Sequence, residues 1–144
     1  MNKLLRRLFP DKEMRAYRKM YRRHRRELVK LAKKTKPFDY GWLHESVIMQ
    51  IRHMYEYYTA GNNVWQSDES LNLLKESLKR VLDLNEELEH LWDNHEYKYI
   101  KNNDGSITCT DESIESYNQK AAREFELYEE IYSHIGEYIM AWWD

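Results

Sequence analysis

The sequence predicts an all-α protein: a four-helix bundle-like domain whose long, antiparallel third and fourth helices are joined by a short β-hairpin or loop. Three observations carry that expectation. Glycine (4) and proline (2) are scarce in 144 residues, so few turns separate long regular elements. Apolar residues recur at alternating spacings of three and four along three segments, the period of one packed helix face. Capping residues stand where the segments begin: Asp11, Asp39, Ser67 or Asp68, and Thr110 or Asp111.

The first helix is expected over 11–35, with the seam Met14, Tyr17, Tyr21, His24, Leu28 and Leu31. Tyr17 and Tyr21 could stack on the bases of a nucleic acid, but their place in the packing seam assigns them to the core, and His24 is read as a packed, hydrogen-bonded histidine. Pro37 disfavours helix at Lys36 and ends this element. The second helix, over 40–60, carries Trp42, Leu43, Val47, Ile48, Ile51, Met54, Tyr55 and Tyr58 on more than one stripe, which suggests packing on two sides. Gly61 is placed to cap its end.

The third helix has the seam Leu71, Leu74, Leu78, Val81, Asn85, Leu88 and Trp92. Asn85 reads either as a buried polar residue that sets register or, more simply, as a bundle-edge side chain reaching water. Residues 97–101 and 106–110 alternate loosely around Asn102-Asn103-Asp104-Gly105, a hairpin signal that an irregular loop would also satisfy. The fourth helix runs on to the C-terminus with the seam Ile114, Tyr117, Ala121, Phe125 or Glu124, Tyr128, Ile131, Ile135, Tyr138 and Trp142. Gly136 interrupts good helix formers and suggests a close helix crossing.

A length of 144 residues fits one domain, spanning 1–144. The single cysteine, Cys109, excludes an intramolecular disulfide and fits a reducing compartment. No stretch approaches the length of a membrane span, and Arg6 and Arg7 break the short apolar N-terminal element, so a cytoplasmic location is expected.

The net charge of −2 conceals an asymmetry. Residues 1–36 hold 15 Lys/Arg against 3 Asp/Glu, a net of +12; residues 37–144 hold 8 against 22, a net of −14. Such a split points to polyanion binding by the basic part, or to docking of basic on acidic surface within or between chains. The outer faces of the first helix supply the candidate contacts for nucleic acid or an acidic partner: Arg15, Arg18, Lys19, Arg22, Arg23, Arg25, Arg26, Lys30 and Lys33. Trp65, Trp142 and Trp143 are candidate anchors for a protein partner.

Catalytic chemistry finds little purchase. Glu87-Leu88-Glu89-His90 matches the Glu-x-x-His spacing of di-metal bundles, and His53-Met54-Tyr55-Glu56 and His134-Ile135-Gly136-Glu137 are its reversed relatives. However, Glu87 and His90 fall opposite the seam of the third helix, and Glu130, His134 and Glu137 fall off that of the fourth. No phosphate loop, His-Glu-x-x-His or cysteine pair is present. No catalytic residue, metal or cofactor is expected.

The run Phe38-Asp39-Tyr40-Gly41-Trp42-Leu43, the helix ending Met54-Tyr55-Glu56-Tyr57-Tyr58, and Gly61-Asn62-Asn63-Val64-Trp65 resemble a group of small helical proteins encoded by tailed bacteriophages. The resemblance covers residues 38–92 and leaves the basic helix outside. It implies an accessory protein that binds or inhibits a host factor, such as a defence protein, and it carries over no catalytic residues. Two binding readings therefore stand: a protein-binding module of that kind, or a nucleic-acid-binding protein acting through the basic helix. A helical di-metal enzyme is the third, and a homo-oligomer is compatible with the seams.

Overall fold

The computed structural model describes residues 12–34, 40–60, 68–140 and 142. These form helices α1 (Lys12–Lys34), α2 (Tyr40–Thr59), α3 (Asp68–His90) and α4 (Asp111–Tyr138), with strands β1 (Tyr99–Lys101) and β2 (Ile107–Cys109) between the last two helices. The all-α class is as the sequence predicts. The capping roles expected of Asp11, Asp39, Ser67 and Gly61 lie outside the described residues. Asp68 sits within α3 as its first residue. Among the described residues, no helix is long and apolar enough to cross a membrane. The chain divides into two compact units, Met1–Lys79 and Arg80–Asp144, the boundary falling inside α3.

In the first unit, α1 packs on α2. His24 and Leu31 are buried on α1, and His44, Ile48, Ile51 and His53 on α2. At about 100° of helix per residue, His53 lies roughly opposite Ile51, so α2 buries side chains on two faces. The expected α1 seam fails at its N-terminal end. Tyr17 is 36% and Tyr21 57% exposed, because the buried face is centred on His24 and Leu31 and Tyr21 sits at its edge. Trp42 and Leu43 of α2 are exposed as well. Leu74, Ser77 and Leu78 are the buried residues of α3 in this unit.

In the second unit, Val81, Leu84, Asn85 and Leu88 of α3 and Leu127, Ile131 and Ile135 of α4 are buried. Two side-chain contacts fix an antiparallel arrangement, Arg80 with Glu130 at 3.4 Å and Glu87 with Arg123 at 2.9 Å; just past α3, Trp92 donates to Glu124 at 2.9 Å. Residue numbers rise along α3 as they fall along α4, as two helices with facing three/four seams require. The buried residues of α4 are Ser113, Leu127, Ile131 and Ile135; the expected seam holds at Ile131, Ile135 and, past the helix, Trp142, and fails in its N-terminal half, where Leu127 is buried in place of Phe125. Ile114, Tyr117 and, at 71%, Phe125 are exposed in consequence. Thr110 caps α4, its hydroxyl accepting from the Ser113 N–H at 3.2 Å, while Asp111 and Glu112 complement the helix dipole.

Two further expectations are corrected in this unit. Asn85 is only 3% exposed and donates from Nδ2 to Glu89 Oε1 at 2.6 Å, so it is a buried, satisfied polar group and not an edge residue reaching water. A Cβ built on Gly136 meets nothing within 4 Å, so this glycine marks no close helix crossing.

Residues 97–110 resolve into a hairpin, with Tyr99 opposite Cys109, Ile100 opposite Thr108 and Lys101 opposite Ile107. The Gly105 N–H donates to Asn102 O at 3.0 Å, closing a turn that leaves Gly105 at φ +85°, a conformation open to glycine. Asp104 Oδ1 then accepts from the Ser106 N–H and hydroxyl at 2.9 and 2.6 Å. The hairpin leans on the start of α4: the Lys98 N–H donates to Ser113 Oγ at 2.8 Å, and the Thr110 N–H to Lys98 O at 3.0 Å.

Candidate functional site

Helix α1 exists as a helix because one narrow stripe is held against α2 while Arg and Lys, good helix formers, fill the rest. Lys33 and Lys34 in its last turn complement the dipole. Every cation singled out from the sequence is exposed: Arg15, Arg18, Lys19, Arg22, Arg23, Arg25, Arg26, Lys30 and Lys33, joined by Lys34. One of them is engaged inward. Arg23 pairs with Glu27 at 3.7 Å and with Glu56. Among the described residues, Arg18, Lys19, Arg22, Arg25, Arg26, Lys30, Lys33 and Lys34 form no ion pair with a carboxylate. Two depressions lie along the helix, one of about 1020 Å³ lined by Arg15, Tyr17, Arg18, Arg22, Arg26 and Glu56 among others, the other of about 400 Å³ around Arg25, Val29 and Lys30.

The inner face of α1 is held by an arrangement that sequence reasoning did not anticipate. The rings of His24 and His53 stack with centroids 3.7 Å apart and planes 4° from parallel. Each ring donates from Nε2 to a carboxylate of the other helix: His24 to Glu56 at 2.7 Å and His53 to Glu27 at 2.8 Å. Burial, the largest cause, pushes the His53 imidazole below its ordinary value, and the neighbouring His24 adds to it; Glu27 and Glu56 pull the other way. The hydrogen bond from His53 holds the Glu27 carboxyl below the usual carboxylate range. His53 and Glu27 therefore meet as a neutral imidazole donating to an ionised carboxylate. The available signal is a repeated spacing, His24-x-x-Glu27 and His53-x-x-Glu56, which becomes meaningful once the two helices are known to face each other. Parallel rings direct their lone pairs along parallel planes and do not converge on one ion.

The other carboxylate–histidine spacings are placed apart from the buried seams. Glu87 and Glu130 are bound by Arg123 at 2.9 Å each, and His90 lies on Asp93 at 2.7 Å. Three carboxylates, Glu87, Glu130 and Glu126, keep the Arg123 guanidinium firmly protonated. His134 rests against the ring of Tyr138. Among the described residues, no group of three or more His, Cys, Asp or Glu is arranged to hold a metal ion.

The aromatic anchors fare differently from the basic face. Trp65 and Trp143 lie outside the described residues. Trp142 is 4% exposed. Its large apolar surface is already buried by its own chain, so it offers no face to a partner in this conformation. Comparison with family models, with curated proteins and with solved structures finds no match.

Proposed function

We propose that this protein works by binding another macromolecule through the outward face of α1, and that the macromolecule is a nucleic acid. One observation carries the reading: eight cations along a single helix stay exposed and unmatched by carboxylates among the described residues, although residues 37–144 carry a net charge of −14. Were α1 a basic strap neutralised by its own chain, Arg18, Arg22, Arg25 and Arg26 would be paired as Arg23 is. A row of unpaired guanidinium and ammonium groups is instead the footprint that phosphates bind, releasing condensed counterions as they do.

A phage-type accessory role, binding or inhibiting a host protein, rests on the resemblance over residues 38–92. Of its proposed anchors, the described one, Trp142, is buried. The basic face is thus the better-supported binding element.

The test is fluorescence anisotropy of labelled DNA and RNA with the full chain, at low and at physiological salt. The expected result is binding that weakens steeply with salt, by about 0.7 to 0.9 log units per log unit of salt for each phosphate neutralised. Arg22→Glu combined with Arg26→Glu abolishes it while far-UV circular dichroism stays unchanged. Binding that survives this double substitution removes the reading.

A further inference from the structure

We infer that the nucleic acid taken by α1 is single-stranded, with its bases stacked on Tyr21 and its phosphates held by the arginines beside that ring; this rests on the reading above. Tyr21 is the outermost member of an aromatic ladder. Its ring lies 6.4 Å from that of Tyr17 and 22° from parallel; Tyr17 meets Tyr57 edge-on at 5.8 Å, and Tyr57 meets Tyr58 at 5.5 Å. The inner end is anchored, since burial raises the Tyr58 hydroxyl above its ordinary pKa. The outer end is open: Tyr21 is exposed to water.

Spacing sets what surrounds the open ring. On a helix surface, residues three and four apart are neighbours, so Tyr21 has Arg18 on one side and Arg25 on the other, with Arg22 next outward. An aromatic face bordered by Arg18, Arg22 and Arg25, which form no ion pair with a carboxylate among the described residues, is a platform on which successive bases stack while the backbone tracks the charge. A duplex cannot use it. Its bases are stacked on one another and present only edges in the grooves. Glu56, the carboxylate lining the adjoining depression, is paired with His24 and Arg23, which leaves Arg18, Arg22 and Arg25 for phosphates.

Anisotropy with labelled oligo-dT and oligo-rU, an abasic strand of the same length, and a duplex tests this. The expected result is base-bearing strands bound about tenfold tighter than the abasic strand, at the lower end of what one stacked base contributes. Tyr21→Ala removes that advantage and leaves abasic binding, its salt dependence and the helical content unchanged; Tyr21→Phe retains it. Equal affinity of the wild-type protein for abasic and base-bearing strands overturns the stacking role and leaves phosphate binding by α1 intact. Failure of the wild-type protein to bind any strand overturns both.

Discussion

Lowering the pH from about 7.5 to about 5 is expected to loosen α1 from α2 through the stacked histidines. His53 and Glu27 are stable as neutral imidazole against ionised carboxylate. Protonating His53 places a cation in a buried position, directly against the ring of His24. Glu27 and Glu56 oppose this, but burial is the larger cause and the His53 pKa lies below 6.5. A depressed histidine contributes stability that is full above its unfolded value and is lost as the pH falls towards the folded one. The window therefore opens at pH 6.5, and at about 1.4 kcal/mol per pH unit the loss by about pH 5 is at most about 2 kcal/mol. Glu27 has the same sign in its own window, starting below 4.5, outside this range. His90, raised by Asp93, has the opposite sign but is fully exposed, and His90→Gln removes it from the comparison. Against a typical total of about 5–15 kcal/mol, the expected loss lowers Tm by several degrees. Amide hydrogen exchange of α1 against pH, alongside thermal melts, is the assay. His53→Gln keeps a donor for Glu27 and does not titrate, so it flattens the profile. Protection of α1 that is level, or rises, as the pH falls refutes the reasoning.

Gly136→Ala adds a methyl that meets nothing within 4 Å in a helical position, so it is expected to stabilise the second unit by about 1 kcal/mol; a lower denaturation midpoint contradicts that. Leu127 is fully buried, and Leu127→Ala is expected to cost about 2–5 kcal/mol through lost burial and a residual cavity, read as a shifted midpoint in denaturant. Phe125→Ala, two residues earlier on the exposed side of α4, should change the midpoint by less than about 0.5 kcal/mol, and a loss matching that of Leu127→Ala would mean the stripe is misphased.

Local pattern carried much of this protein. Where apolar spacing is unbroken, as in Leu74, Leu78, Val81 and Leu88, the buried stripe of α3 is readable directly from the residues. The Asp104-Gly105 turn and the Thr110 cap are equally local, because each depends on a few adjacent torsions and one or two hydrogen bonds. In α4 the pattern is ambiguous, since Tyr117, Phe125 and Leu127 allow more than one seam through a helix rich in aromatics. The phase that buries Leu127, Ile131 and Ile135 follows from what α3 presents, a choice made between elements rather than within one.

The chain's charge asymmetry, its helices and the cations along residues 15–34 follow from the sequence alone, because composition and a 3.6-residue period are local properties. Three things were decided by tertiary structure. His24 and His53 lie 29 positions apart, and only the docking of α1 on α2 stacks them and supplies each with the other helix's carboxylate. The narrowness of that contact leaves Tyr21 in solvent, where periodicity alone assigns it to the core. The pairing of Arg23, and the absence of such partners for its neighbours among the described residues, likewise depends on which carboxylates the fold brings within reach of a helix whose own sequence offers two, Glu13 and Glu27.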